Sequence, residues 1–206
     1  RRLAQRISDM QGLKSGRLVV GGASLFNSTL LPKAVARFAE QYPGIEVRIV
    51  TDTVPNLTQA ALSGAIDLFV TPVPNDNLNL ESEELLTERL LLCIPRDLKA
   101  AERLPDMGRE GFARIGAAEF KILAAEPFIM LDPTLQLGRK LKQLFELYGI
   151  EPAHAITVDQ TSTGYALSMA GAGVGFVAES AMLDMPASQR PALYLADEGI
   201  CSRKLY

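Results

Sequence analysis

The chain has 206 residues, 48% of them hydrophobic and 22% charged, and carries a formal net charge of -3. This is the composition of an ordinary globular protein with ample material for a core, and it argues against a nucleic-acid-binding face, which shows as a basic excess. There is no signal-peptide pattern and no apolar run long enough to span a bilayer, and Cys93 and Cys201 lack metal-ligand spacing, so a cytoplasmic protein with reduced thiols is expected.

Residues 1–11, RRLAQRISDMQ, place Leu3, Ile7 and Met10 at helical spacing and read as the end of a longer amphipathic helix. Residues 17–21 form a strand, and Gly21-Gly22-Ala23-Ser24 lets the backbone turn sharply. Leu30, Leu31, Val35, Phe38 and Tyr42 then mark one face of a helix, with Ser28 or Thr29 as its cap and Pro32 in its first turn. Ile45, Val47 and Ile49 alternate with charged residues in a second strand. Residues 53–56 open a helix that Gly64 stops, and residues 66–70 are the third strand. The order over residues 17–70 is β-α-β-α-β.

Residues 88–94, ERLLLCI, read as a strand that leaves this first lobe and enters a second. Residues 96–126, rich in Ala, Arg, Glu and Gly, read as surface helix and loop. Residues 128–131 are a strand, Asp132-Pro133-Thr134 a helix start, and Leu137, Leu141, Leu144, Phe145 and Tyr148 its apolar face. The stretch 155–177 adds a β-branched strand at 156–158, six polar or small residues, a helix over 165–170, a glycine-rich turn and an apolar strand over 174–177. The β-α-β-α-β order therefore occurs twice. Residues 193–196 are a candidate return crossing, and residues 203–206 begin a further strand.

A parallel sheet gathers its polar turns and the positive ends of its helices along one edge. Here the strand ends carry Gly22-Ala23-Ser24, Thr51-Asp52-Thr53 and Thr71-Pro72 in the first lobe. In the second they carry Asp132-Pro133-Thr134, Asp159-Gln160-Thr161 and Ala178-Glu179-Ser180. Hydroxyls, amides and helix-start N–H groups predominate, and Lys and Arg are absent from these turns. A small polar or anionic ligand suits such a cleft. The bland alternative is that each Ser, Thr or Asp caps its own helix and does nothing more; the repetition at six turns favours the ligand. Catalytic signatures are weak. His154 sits in a turn beside Pro152, and no nucleophile elbow, phosphate-binding loop or metal cluster appears, so no enzyme is expected. Gly171-Ala172-Gly173-Val174-Gly175 precedes a strand instead of following one, which is helix-end chemistry and not a dinucleotide fingerprint. Cys93, embedded among leucines, reads as inert core.

The chain resembles the effector-binding domain of LysR-type transcriptional regulators. The resemblance rests on residues 16–21 through Leu30-Leu31-Pro32 and Tyr42-Pro43-Gly44, on 62–68 (LSGAIDL), on 138–141 (GRKL) with 148–152 (YGIEP), and on 169–175 (MAGAGVG). It implies an α/β, periplasmic-binding-protein-like fold of two Rossmann-like lobes joined by two crossover strands. Residues 1–12 would end a linker helix, 17–91 with about 196–206 would form lobe I, and 92–195 lobe II. A strand and helix completing lobe I would follow Tyr206. The resemblance further implies a homodimer, tetrameric in the full-length protein, that reaches DNA only through an N-terminal domain. No cofactor and no membrane contact are expected. A small-molecule effector, of the carboxylate or amino-acid metabolite class, would sit between the lobes at Ser24, Leu25, Thr53, Thr71, Pro133, Thr134, Gln160 and Thr161. The rival is a transport-type solute-binding protein of the same architecture, which would be monomeric.

Overall fold

The computed structural model describes residues 15–95, 97–107, 111–182, 185–186 and 190–206. The expected linker helix at residues 1–12 lies outside them. Two compact units divide the chain: Arg1–Leu86 with Lys204–Tyr206, and Thr87–Arg203. The expected divisions stood between residues 91 and 92 and at about residue 196.

In the first unit, β1 (Gly16–Gly22) is flanked in parallel by β2 (Ile45–Thr51) and β3 (Leu68–Val70), in the order β2-β1-β3. β1 is buried through Val19, Val20, Gly21 and Gly22 because helices cover both faces of this central strand. On one face α1 (Ser24–Thr29) and α2 (Leu31–Gln41) bury Phe26 and Leu31 against Val20, Val70 and Leu205. On the other, α3 (Val54–Leu62) buries Leu57 against Val19 and Ile66. Helix formation begins at Ser24, earlier than expected. Ser28 and Thr29 therefore cap nothing: their hydroxyls turn back to the carbonyls of Ser24 and Leu25, the usual habit of such residues inside a helix. Pro32 does stand in the first turn of α2.

The second unit repeats the device. β6 (Pro127–Leu131) pairs in parallel with β7 (His154–Val158), and an isolated parallel bridge from Phe128 to Val174 brings β8 (Gly175–Ala178) to its other side. Gly173 makes that approach possible: its φ is +151° and a Cβ there would lie 2.3 Å from the Pro127 carbonyl oxygen. β8 pairs antiparallel with β4 (Leu86–Ile94), which pairs antiparallel with β9 (Ala192–Leu195), and β9 runs parallel to the short β5 (Ala113–Arg114). α5 (Gln136–Tyr148) packs Leu137, Leu141, Leu144 and Phe145 into one core with α4 (Ala117–Ile122). Rings of Phe120, Phe128, Phe145 and Phe176 meet there at 4.9–6.5 Å between centroids.

Three expectations are corrected. Residues 96–126 are not merely surface, since Phe120 and Leu123 are fully buried. The return crossing is not at 193–196: β9 stays inside the second unit, and β10 (Ser202–Leu205), next to β4 in the sheet, makes the return. β10 runs opposite to β4, with Leu85 N–H donating to the Leu205 carbonyl and Leu90 N–H to that of Cys201. Its end exchanges two backbone bonds between Tyr206 and Thr71, which gives β3 an antiparallel neighbour as β4 gives one to β8. Third, α5 starts after Thr134 and α6 (Thr161–Met169) starts before Tyr165, so the polar run after β7 is mostly helix.

Candidate functional site

In the first unit the parallel strands deliver Ser24, Leu25, Thr53 and Thr71 to the carboxyl edge of the sheet. Ser24 is the exposed first residue of α1, and its hydroxyl makes no hydrogen bond among the described residues; Leu25 beside it is half-buried. Asn27 secures this turn. Its amide nitrogen lies 3.1 Å from the Gly22 carbonyl, 3.0 Å from that of Val50 and 2.7 Å from the Thr51 hydroxyl, which ties α1 to the end of β2. The sequence alone did not single out Asn27: its amide offers two N–H donors, but its partners Val50 and Thr51 lie more than twenty positions away. Thr53 is the exposed N-cap of α3. Asp52 accepts the Thr53 N–H and the Asn56 amide, each at 2.7 Å; these bonds, the Asn56 amide foremost, hold its carboxyl below the usual range. Thr71 is buried, its hydroxyl donating to the Val73 carbonyl and accepting the Val73 N–H. It forms one wall of a shallow cavity of about 100 Å³ between α3 and the following loop, lined also by Val54, Thr58, Phe69, Val73 and Asn75.

In the second unit Pro133 and Thr134 follow β6 and are exposed. The Thr134 hydroxyl and N–H both donate to Asp132, at 2.6 and 2.8 Å; these bonds, the hydroxyl's foremost, hold the Asp132 carboxyl below the usual range. Gly138 lets α5 begin this close, since a Cβ there would lie 2.0 Å from the Asp132 carbonyl oxygen. Gln160 is the exposed N-cap of α6 and Thr161 its half-buried first residue, and neither side chain makes a hydrogen bond among the described residues. The turn after β8 behaves differently. Glu179 accepts a two-pronged bond from Arg89 at 2.8 and 2.7 Å, and the Ser180 hydroxyl donates to Glu88. The turns themselves lack Lys and Arg, yet β4 brings a cation to this one.

The eight residues thus separate into two sets of four, one at each unit's strand ends, and by chemistry into committed and uncommitted groups. Thr71 and Thr134 spend their hydroxyls locally, and the Thr53 hydroxyl also engages Asp52. Ser24 and Thr161 keep their hydroxyls, and Gln160 its amide, uncommitted among the described residues. The bland alternative of self-capping fails at the helix starts, because α1, α3, α5 and α6 have no side-chain cap and no acidic residue in the first turn. Their leading N–H groups keep a positive character that suits an anion. Ser168 shows what a committed hydroxyl looks like: fully buried, it lies 2.9 Å from the carbonyls of Cys93 and Gly173. The Cys93 thiol, pushed up to about 11 by burial, is unsuited to nucleophilic work. Among the described residues no group of three His, Cys, Asp or Glu side chains could hold a metal, and no helix is long and apolar enough to cross a membrane.

Residues 11–206 match the family model described as the LysR substrate binding domain. The SDS degradation transcriptional activation protein of Pseudomonas sp. (strain ATCC 19151) is 32% identical over 149 residues, 71% of this chain and 45% of that protein. The chain spans about half the length of the curated relatives it matches, from 45% to 56%. Among solved structures, the BenM effector binding domain with its effector benzoate aligns with a TM-score of 0.69 at 15% identity, covering 92% of this chain and 82% of that one. The Synechocystis PCC6803 CcmR regulatory domain in complex with 2-PG gives 0.66 at 18% identity, covering 93% and 86%. The shared fold is α/β and periplasmic-binding-protein-like.

Proposed function

Because this chain belongs to the family of LysR substrate binding domains, we propose that it is the metabolite-sensing part of a cytoplasmic transcriptional regulator. In this reading it binds and releases an effector without chemical change, assembles as a homodimer, tetrameric in the full-length protein, and acts on DNA through a separate N-terminal domain. The effector is held by Ser24, Leu25 and Thr53 of the first unit and by Pro133, Thr134, Gln160 and Thr161 of the second, with Thr71 shaping the floor beside them. Ligand binding moves the equilibrium between two hinge states only by its difference in affinity for them.

The observation that carries this reading is that each unit has uncapped helix starts at its strand ends beside uncommitted polar side chains, Ser24 in the first and Gln160 and Thr161 in the second. It favours a small carboxylate, the class to which the benzoate of the BenM domain belongs. Asp52 and Asp132, kept ionised next to two of those helix starts, favour an ammonium group on the same molecule. An amino-acid metabolite presents both charges. Thermal-shift screening of benzoate, other small carboxylates and amino acids should identify a stabilising ligand. Titration calorimetry with that ligand should then show Ser24→Ala and Thr161→Ala binding about ten times more weakly, roughly the loss of one hydrogen bond to a charged group. Unchanged affinity in both variants would overturn the site.

A further inference from the structure

The buried ion pair at the unit boundary has a role the effector site does not use. Glu88 on β4 is 2% exposed, and Arg203 on β10 retains 10% of its side-chain surface. The Arg203 Nε donates to the Glu88 Oε2 at 2.7 Å, and the Ser180 hydroxyl, in the turn after β8, donates to the other carboxylate oxygen. Arg89, pointing to the opposite face of β4, grips Glu179 of the same turn and lies with its guanidinium 4.7 Å from the centre of the Phe112 ring. β4 and β10 are the two segments by which the described chain passes from one unit to the other. Both are therefore fastened to a single turn through one carboxylate. On the first unit's side the matching charge pair, Lys204–Glu84, is exposed at 56% and 45%, where an ion pair contributes little.

We propose that Glu88 is a positioning residue: it clamps both crossing strands to the turn Glu179–Ser180, so that bending of the chain between the units is confined to residues 86–87 and residue 204. The argument is one of unequal stiffness. A buried, fully hydrogen-bonded carboxylate cannot release one partner without leaving a charge unpaired away from water, whereas the exposed pair exchanges freely with solvent. The backbone around it is held as well: Leu90 N–H donates to the Cys201 carbonyl at 2.7 Å just beyond the clamp. Under the sensing reading, on which only this clause rests, residues 88–203 then move as one body and the effector selects among bends at the two short segments.

Native-state hydrogen exchange on the isolated chain, with no ligand added, tests the clamp. Glu88→Gln should speed exchange of amides in 87–90 and 201–203 at least tenfold while β6, β7 and β8 keep their protection. Arg203→Lys, which preserves the cation, should retain most of the protection, and Ser180→Ala should give an intermediate acceleration, serving as the milder variant if Glu88→Gln does not fold. Unchanged exchange in Glu88→Gln and Ser180→Ala, loss of protection spread evenly over 87–203, or Arg203→Lys as open as Glu88→Gln would each overturn the proposal. Failure to find an effector leaves this experiment unaffected.

Discussion

The two units run the same β-α-β-α-β course and differ in how they bury it. The first has a three-stranded sheet with a small apolar cluster on each face, one around Phe26 and Leu31 and one around Leu57. The second extends its sheet through β4 and β9 and gathers one continuous core with five phenylalanine rings. Apolar burial scales with the size of a continuous core, so equal topology does not mean equal stability. The first unit supplies a turn latched by Asn27; the second supplies the body to which the crossing strands are fastened.

Truncation of a core leucine should break this comparison most visibly. Leu141→Ala, at a fully buried site in the second unit, should lower stability by about 4 kcal/mol, and Leu57→Ala in the first by about 2.5 kcal/mol, because a thin layer collapses more readily around a void. Chemical denaturation with local probes in each unit measures both values; equal losses would mean that the first unit is as rigidly packed as the second. A smaller effect is expected from Asn27→Ala, which leaves the carbonyls of Gly22 and Val50 without their amide donor. It should cost about 1–2 kcal/mol and shift the backbone resonances of residues 22–30 while leaving those of β6–β8 in place.

The smallest effect concerns the carboxylates that stand at corresponding turns, Asp52 in the first unit and Asp132 in the second. Both have folded values below the ordinary 3.8 because N–H and O–H groups donate to the ionised form. Their stabilisation is therefore complete above that value and fades as the pH falls through the lowered folded value. Asp52→Asn should flatten the acid limb of the first unit's stability curve and Asp132→Asn that of the second, each with a small loss of stability at neutral pH, where the carboxylate's contribution is fully present. Amide-resolved pH titration distinguishes the two; cross-effects between units would contradict their independence.

Much of the fold was legible because apolar periodicity survives translation into structure. The faces of α2 and α5, the alternation in β2 and the β-branched strand β7 are local patterns, and local patterns set element type. The misreadings share another cause. Ser24-Leu25 and Thr161–Gly164 look like turn chemistry by composition, yet both open helices, because packing of Phe26 and of Gly164 against the sheet outweighs the weak helix propensity of Ser and Thr. Residues 96–126 looked like surface because Phe112, Phe120 and Leu123 are scattered among Ala, Arg and Glu with no clear period. Of the site, the hydroxyl-bearing positions were readable and their commitments were not: nothing in the sequence distinguishes Thr134, bound to Asp132, from Thr161, which is not.

What the sequence determined by itself was the succession of strands and helices, the polar character of the strand ends and the family to which the chain belongs. All three depend on residues close together along the chain. The tertiary structure decided which apolar strand returns, which hydroxyls are spent, and that Glu88, Arg203 and Ser180 share one buried carboxylate. The returning strand and the shared carboxylate join residues about a hundred positions apart, and a hydrogen bond at such separation is selected by the register of the whole sheet, which no local spacing encodes.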